Sequence, residues 1–317
     1  MKTTLTIILA LVANVMSAQM LTRCNEILDT VCQSKLTAVY LYTIRTSDAE
    51  GKSVTDSIQL ALQVGEEVWK TWAFERYEYE KSSKVDPTYL PFMHNEVLMH
   101  IATTTVGYPE GKITSIESIS PHQYEVTEDM EKPVWKKAKG KKSVCGYQCK
   151  KATGEFRGKK WNVCYATDIA TEAGPWKLHG LPGLITYATD DKGIHTFQLI
   201  SINDEAVPIT RSSGYPFHKW VFDKKSITAD HTVEGELAID TKPYVNITRE
   251  KCLEMKNELF GDSRYLSDPE FLNVWTNSDY YESDQHVINK FNGEKYILRG
   301  GLYIPDKGHK YQPLELK

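Results

Sequence analysis

Two groups of acidic residues are the side chains best suited to acid–base chemistry in this chain. Glu125, Glu128 and Asp129 stand within five positions of each other, and Asp190 is followed directly by Asp191. Glycoside hydrolysis needs two carboxyl groups held about 5–9.5 Å apart in a cleft. Spacing along the chain does not fix that distance, and a Lys-Gly pair after Asp191 is typical of a solvated hairpin tip. A glycan-active hydrolase is therefore one alternative, with its carboxylates unassigned.

Other catalytic patterns are absent from the sequence. It contains no Gly-x-Ser-x-Gly elbow, no Ser-x-x-Lys pair and no phosphate-binding glycine loop, and its nine histidines are scattered. The spacing Cys145-x3-Cys149 lacks the second paired motif of a zinc site. We therefore assign no catalytic residue, no cofactor and no metal ligand from the sequence.

The cysteines suggest disulfides, because the chain has an even number of them and an export signal (below). Six cysteines permit 15 complete pairings. Cys24 and Cys32 are close enough in sequence to close a short loop, and Cys149 and Cys164 flank a Gly-containing turn at 153–158. We predict these two pairings, the second across a hairpin.

The charge is unevenly distributed. Residues 132–160 hold ten lysines, one arginine and one glutamate, whereas the whole chain has a formal charge of −4, which does not suggest nucleic-acid binding. Such asymmetry steers anionic ligands by a long-range attraction that salt weakens. An anion-binding patch and a solvated loop leading into a hairpin are both compatible with this run. The patch residues are Lys136, Lys137, Lys139, Lys141 and Lys142.

The first residues are typical of an export signal. Lys2 precedes an apolar core at 5–15, and Ser17 and Ala18 offer a small-residue cleavage site. The apolar run is shorter than the roughly 20 residues of a bilayer span. We predict a signal peptide at 1–18 and a mature chain at 19–317 without a transmembrane segment, located in the periplasm, associated with the outer membrane or secreted.

The mature chain reads as one domain that is mainly antiparallel β. Apolar and β-branched runs return through short turns, which predicts hairpins at 56–74, 95–120, 143–167 and 184–203. The character changes near residue 248, where Thr248 is a candidate cap for a helix at 249–260 that Gly261 would end. A second helix is predicted at 268–275. The predicted class is α+β, with a helical C-terminal part.

The run at 174–185 contains a turn. Leu181-Pro182-Gly183-Leu184 matches a type II turn, since proline presets φ at its second position and glycine accepts a positive φ at its third. Leu184 and Ile185 then begin a strand. Trp176, beside a Gly-Pro step, could lie in the core or in a ligand-binding surface.

The same run resembles the motif that names the GLPGLI family of exported bacterial proteins. Similar pieces occur in order around it: Pro-Val-Trp-Lys at 133–136, Cys-Gly-Tyr-Gln-Cys at 145–149 and Phe-Arg-Gly-Lys at 156–159. The chain is also similar to the bowl-like N-terminal domain attached to a type II peptide:N-glycosidase. The resemblance implies an exported protein with a curved open sheet, a bowl or half-barrel, and supplies no chemistry. The motif residues are Gly174, Pro175, Trp176, Gly180, Leu181, Pro182, Gly183, Leu184 and Ile185.

The first functional hypothesis is a noncatalytic exported protein that binds an envelope protein, a glycan or an anionic lipid. The alternatives are the hydrolase above and an accessory subunit of an outer-membrane transport system. Two facing carboxylates with perturbed pKa values in a cleft would favour the enzyme.

Overall fold

A computed structural model describes most of the chain. The predicted signal peptide, Cys24 and the predicted helix at 268–275 lie outside the described residues. The described residues are 28–47, 52–82, 101–119, 122–227, 233–261, 286–288, 295–299, 302–305 and 312–316.

A twelve-stranded, almost entirely antiparallel sheet forms the centre of the molecule. Its order is β16-β7-β6-β5-β4-β3-β2-β12-β11-β10-β9-β8. The strands are β2 (Leu36–Ser47), β3 (Ser53–Val64), β4 (Trp69–Ala73), β5 (Thr103–Val106), β6 (Lys112–Ile119), β7 (His122–Asp129), β8 (Val134–Val144), β9 (Tyr147–Phe156), β10 (Lys159–Ala166), β11 (Leu184–Asp190), β12 (His195–Asn203) and β16 (Val245–Asn246). The predicted hairpins are confirmed, although the one predicted at 95–120 is described only from residue 101.

Three smaller sheets and two helices complete the described structure. The short sheets join β1 (Leu28–Gln33) to β13 (Pro208–Ser212), β14 (Gly214–Ile227) to β15 (Val233–Pro243), and β17 (His286–Ile288) to β18 (Lys295–Arg299) and β19 (Leu302–Pro305). Helix α1 (Phe74–Ser82) was not predicted from the sequence, and α2 (Arg249–Gly261) was. The Thr248 hydroxyl accepts a hydrogen bond from the Lys251 amide, which confirms the predicted cap. The mainly β, α+β class is confirmed. Of the expected helical C-terminal part, only α2 is found among the described residues, and the described strands that follow it, β17 to β19, form a sheet.

Two tight turns set the register of the β8–β9–β10 meander. Cys145 and Gly146 join β8 to β9, and Arg157 and Gly158 join β9 to β10; all four have positive φ. A two-residue turn with positive φ at both positions is type I′, whose twist matches that of paired strands. The turn at 157–158 places Lys151 opposite Cys164.

The sheet is open, because its end strands β16 and β8 are not hydrogen-bonded to each other, and it curves. Glu128 on β7 lies eight strands away from β10, a distance of about 38 Å in a flat sheet at ~4.8 Å per strand. Nevertheless its carboxylate is 2.7 Å from the guanidinium of Arg157, in the turn that enters β10. Only a curved sheet brings these positions together.

A long loop at 167–183 fills the space that this curvature creates. Residues 173–179 are all buried although they belong to no helix or strand. Loops usually lie on the surface, because their backbone polar groups need partners. Here the loop supplies core side chains instead, among them Trp176 and Leu178, and the largest hydrophobic cluster joins them to β2, β3 and β10.

Candidate functional site

The Leu-Pro-Gly-Leu turn is of a different type from the one predicted. The Gly183 amide donates to the Leu181 carbonyl at 2.8 Å, which closes a three-residue γ-turn centred on Pro182. Gly183 has φ +148, and a Cβ placed on it would lie 2.3 Å from the carbonyl oxygen of Ala166. The glycine is therefore required by a close backbone contact as well as by its φ.

The buried part of the loop finds its hydrogen bonds inside the molecule. The Trp176 amide donates to the hydroxyl of Thr71 on β4, and the Ile185 amide donates to the Ala173 carbonyl. The Gly180 amide donates to the Glu172 carbonyl. These partners offset the cost of burying backbone polar groups, so the loop can serve as a core element.

Trp176 lies in the core. It is 2% exposed, and its ring contacts those of Phe156 and Trp161 at centroid distances of 6.0 and 5.9 Å. Its φ of +58 is rare for a residue with a side chain. This conformation directs the next residue, Lys177, toward a group of buried charges.

We call this group the ion network: Glu128, Arg157, Lys177, Arg249 and Glu315. Lys177 Nζ lies 2.5 Å from a carboxylate oxygen of Glu128 and 2.5 Å from one of Glu315. Arg249 Nε donates to the other oxygen of Glu315 at 2.5 Å. The five side chains are between 3 and 13% exposed, so water screens them little.

The two carboxylates of the network differ in their surroundings. Glu315 accepts hydrogen bonds from Lys177 and Arg249, whereas the contacts of Glu128 are ion pairs without aligned hydrogen bonds. Burial on its own raises the pKa of Glu315, but the charges of Lys177 and Arg249 outweigh it and hold that pKa below its ordinary value. Glu315 is therefore anionic at neutral pH.

This arrangement does not match acid–base catalysis by two carboxylates. Because Glu128 and Glu315 share one lysine nitrogen, their nearest oxygens are within about 5 Å, the spacing used by retaining glycosidases. However, such an enzyme needs one carboxyl group that stays protonated through a raised pKa. Glu315 does not supply it, because its pKa is lowered, and Lys177 lies between the two carboxylates.

The remaining predicted carboxylates do not converge. Glu125 is paired through both oxygens with Arg211, and Asp129 is exposed on the sheet edge beside Lys112. Asp190 is 2% exposed, so the expectation of a solvated hairpin tip is wrong for it. One of its oxygens accepts from the His195 amide, and the other lies 3.7 Å from Lys159.

The lysine-rich run is a strand rather than a loop. The five patch residues lie on β8, which is the end strand of the main sheet, and all five are exposed. None of them has an acidic partner within ion-pair distance among the described residues, and Lys141 stands directly opposite Lys150. We call this row the β8 lysine surface: Lys136, Lys137, Lys139, Lys141 and Lys142.

Three other cations of the basic region are neutralised internally. Lys132 pairs with Glu172 at 2.8 Å, Lys159 with Asp190, and Arg157 with Glu128. The positive charge left over lies on β8, with Lys150 and Lys151 on β9 and Lys160 on β10. Lys142 Nζ sits 3.4 Å from the ring centroid of Tyr187, a cation–π contact that keeps its charge available.

The predicted disulfide between Cys149 and Cys164 is not formed, and both residues are buried thiols. The turn at 157–158 makes Cys149 a diagonal neighbour of Cys164, and diagonal pairs lie about 7–8 Å apart. A disulfide needs Cα atoms about 4.4–6.8 Å apart. The Cys149 thiol instead contacts the Thr186 hydroxyl at 3.1 Å. Cys32 is likewise a free thiol, so the structure does not show the predicted pairing with Cys24, which lies outside the described residues.

The described residues offer neither a metal-binding cluster nor a membrane-spanning helix. They contain no group of three or more His, Cys, Asp or Glu side chains arranged to hold a metal ion. None of their helices combines the length and apolar character needed to cross a bilayer.

Comparisons with known proteins leave the family open. No family model matches the chain, and no curated protein matches it. The GLPGLI assignment therefore stays a resemblance on the motif residues. Two crystal structures of PNGF-II are weakly similar: one is 12% identical with a TM-score of 0.41, the other 15% identical with a TM-score of 0.38.

The matched region is a minor part of those proteins. It covers 72% and 70% of this chain but only 34% and 33% of the two PNGF-II chains. At these TM-scores the likeness carries no conclusion about activity.

Proposed function

We propose that this protein is a noncatalytic, exported binding protein of the cell envelope, and that the β8 lysine surface binds a linear polyanion such as an acidic glycan. The observation that carries the proposal is the row of five exposed lysines without acidic partners among the described residues. Such a row is attractive to anions from a distance and loses that attraction as salt rises.

The geometry of β8 favours an extended ligand. Residues 136–142 span about 20 Å at ~3.3 Å per residue, so the surface presents a line of charge rather than one pocket. The facing lysines Lys141 and Lys150 repel each other in the free protein. A bound anion between them would relieve that repulsion, which adds to the affinity for repeated negative groups.

The ion network supports a noncatalytic role. Its two facing carboxylates both contact Lys177 and are buried, and the pKa of Glu315 is lowered rather than raised. Export to the envelope follows from the predicted signal peptide and belongs to the proposal.

Binding to heparin and to purified lipopolysaccharide tests the proposal. We expect heparin affinity to fall steeply between 50 mM and 300 mM NaCl. A triple variant, Lys137→Glu, Lys139→Glu and Lys141→Glu, should lose at least tenfold in affinity at low salt.

The matched control changes three exposed lysines elsewhere, Lys35→Glu, Lys52→Glu and Lys192→Glu, with the same change in net charge. It should retain most of the affinity. Equal losses in both variants would show that net charge alone drives binding and would overturn a localised surface. If the protein bound acidic proteins but neither heparin nor lipopolysaccharide, the ligand of the β8 lysine surface would be a protein and not a glycan.

A further inference from the structure

Residues 312–316, which we call the clasp segment, are held by three kinds of contact at once. The Glu315 carboxylate meets Lys177 and Arg249, each oxygen on its own cation. Leu314 is 4% exposed and belongs to the main hydrophobic cluster. The Leu316 amide donates to the carbonyl of Arg157 at 3.0 Å.

These contacts have the composition of a peptide-recognition site. A main-chain hydrogen bond contributes affinity, a buried side chain and a charged one contribute specificity, and Pro313 reduces the conformational freedom that binding must remove. The side chain of Leu316 itself is 57% exposed.

Loss of the clasp segment would remove a negative charge from the cations of this site. Lys177 would keep only Glu128 of its two carboxylate partners, and Arg249 would lose its contact with Glu315. Glu131 also approaches Arg157, at 3.6 Å, but its side chain is 72% exposed. Cations left in a poorly solvated position favour the binding of any anion that can enter.

We propose that Lys177, Arg249 and the Arg157 carbonyl form a receptor for an acidic peptide of the type Pro-Leu-Glu-Leu, and that the clasp segment occupies it as an internal, exchangeable ligand. The clasp joins elements from distant parts of the sheet, because its partners come from the buried loop, α2 and the β9–β10 turn. Its release therefore opens a cationic site beside the buried loop. This inference does not depend on polyanion binding by β8.

The test combines full-length Glu315→Gln with a labelled peptide, Tyr-Gln-Pro-Leu-Glu-Leu-Lys, that copies residues 311–317. In the variant we expect amide hydrogen exchange at 312–316 to rise at least tenfold while β9 and β10 stay protected. The variant should bind the labelled peptide measurably more tightly than the wild type does. A peptide with Gln in place of Glu should not bind.

The control is Glu254→Gln, which removes the same charge from an exposed pair with Lys251 on α2. It should behave as the wild type in both measurements. A folded Glu315→Gln variant that keeps its segment protected, or that releases it and fails to bind the peptide, overturns the proposal.

A second variant covers the case in which Glu315→Gln does not fold. Glu315→Asp keeps the charge but withdraws the carboxylate by one methylene group. It should show smaller increases in exchange and in peptide binding than those stated above. Values identical to the wild type in both measurements would contradict an exchangeable carboxylate contact.

Discussion

Lys177 Nζ lies 2.5 Å from the carboxylate of Glu315, although 138 positions separate the two residues in the chain. The contact joins the buried loop to the clasp segment. Because Lys177 also meets Glu128 on β7, this one side chain connects the loop to an outer strand of the sheet. The first prediction concerns this link.

Lys177→Met should destabilise the protein by about 3–5 kcal/mol, because it leaves the buried carboxyl groups of Glu128 and Glu315 without their shared cation. Lys251→Met removes an exposed lysine that pairs with Glu254, and it should have little effect. Urea unfolding monitored by tryptophan fluorescence measures both. Equal stability of the two variants would show that the ion network contributes nothing.

Gly183→Ala should cost about 3 kcal/mol or more, since the new Cβ would lie 2.3 Å from the Ala166 carbonyl oxygen at a φ that alanine avoids. Gly193→Ala is the control, because Gly193 also has a positive φ but has no atom within 4 Å of the added Cβ. It should cost only about 1–2 kcal/mol. A folded, stable Gly183→Ala would contradict the close contact.

His179 should make the protein less stable in mild acid. Burial lowers the pKa of His179, despite a hydrogen bond from its Nδ1 to the Lys177 carbonyl that opposes the shift. The unfolded chain takes up this proton near pH 6.5, whereas the folded chain does so at lower pH. The contribution of neutral His179 to the free energy of unfolding is therefore fully present above about pH 6.5. Below that pH it is lost by up to about 1.4 kcal/mol per pH unit, until the lowered pKa of His179 in the folded chain is reached.

Urea midpoints between pH 5 and pH 8 measure this effect, since the loss that comes from protonating Glu315 lies at lower pH. In His179→Gln the urea midpoint should change less with pH across this range. A variant with an unchanged slope would assign the acid sensitivity to another group.

The β8 lysines should also keep the protein monomeric. Exposed edge strands pair with other edges unless charges prevent it, and lysine is a common blocker. We expect Lys137→Thr, Lys139→Thr and Lys141→Thr together to produce dimers or larger species in sedimentation velocity. The corresponding triple change to Glu keeps charged side chains on the edge and should stay monomeric. If the Thr and the Glu variants both associated, the cause would be unfolding and not the loss of charge from the β8 edge.

The cysteines should react according to their burial. Cys145, exposed in the β8–β9 turn, should be alkylated rapidly in the native state without reductant. Cys149 and Cys164 should react only after unfolding, again without reductant. Burial raises the pKa of Cys252 to about 12, so this thiol should also be slow at neutral pH. A disulfide between Cys149 and Cys164 in nonreducing peptide maps would contradict the register of this hairpin.

The hairpins and the capped helix could be predicted because their signals are local. Turn residues between β-branched runs, and Thr248 before an amphipathic segment, act within a few positions of the chain. The run around Gly183 was recognisable as a turn for the same reason. Its γ-turn geometry was not, because it depends on how close the Ala166 carbonyl lies.

Other errors have a common cause in strand register. The turn at Arg157 and Gly158 decides which residues face each other, and it places Lys151 rather than Cys149 opposite Cys164. The lysine run gave no alternating pattern that indicated a strand, because β8 is an edge strand whose residues are mostly exposed. Its pairing with β9 defines it instead.

The sequence alone determined the β-rich class, the hairpins, the helix at 249–260 and the concentration of positive charge at 132–160. Those features follow from short-range conformational preference and from composition. Only the tertiary structure brought Glu128, Lys177 and Glu315 together, since their contact requires the curvature of a twelve-stranded sheet. The same structure decided which cations are neutralised and which stay available, because ion pairing depends on distances of a few ångströms between residues far apart in the chain.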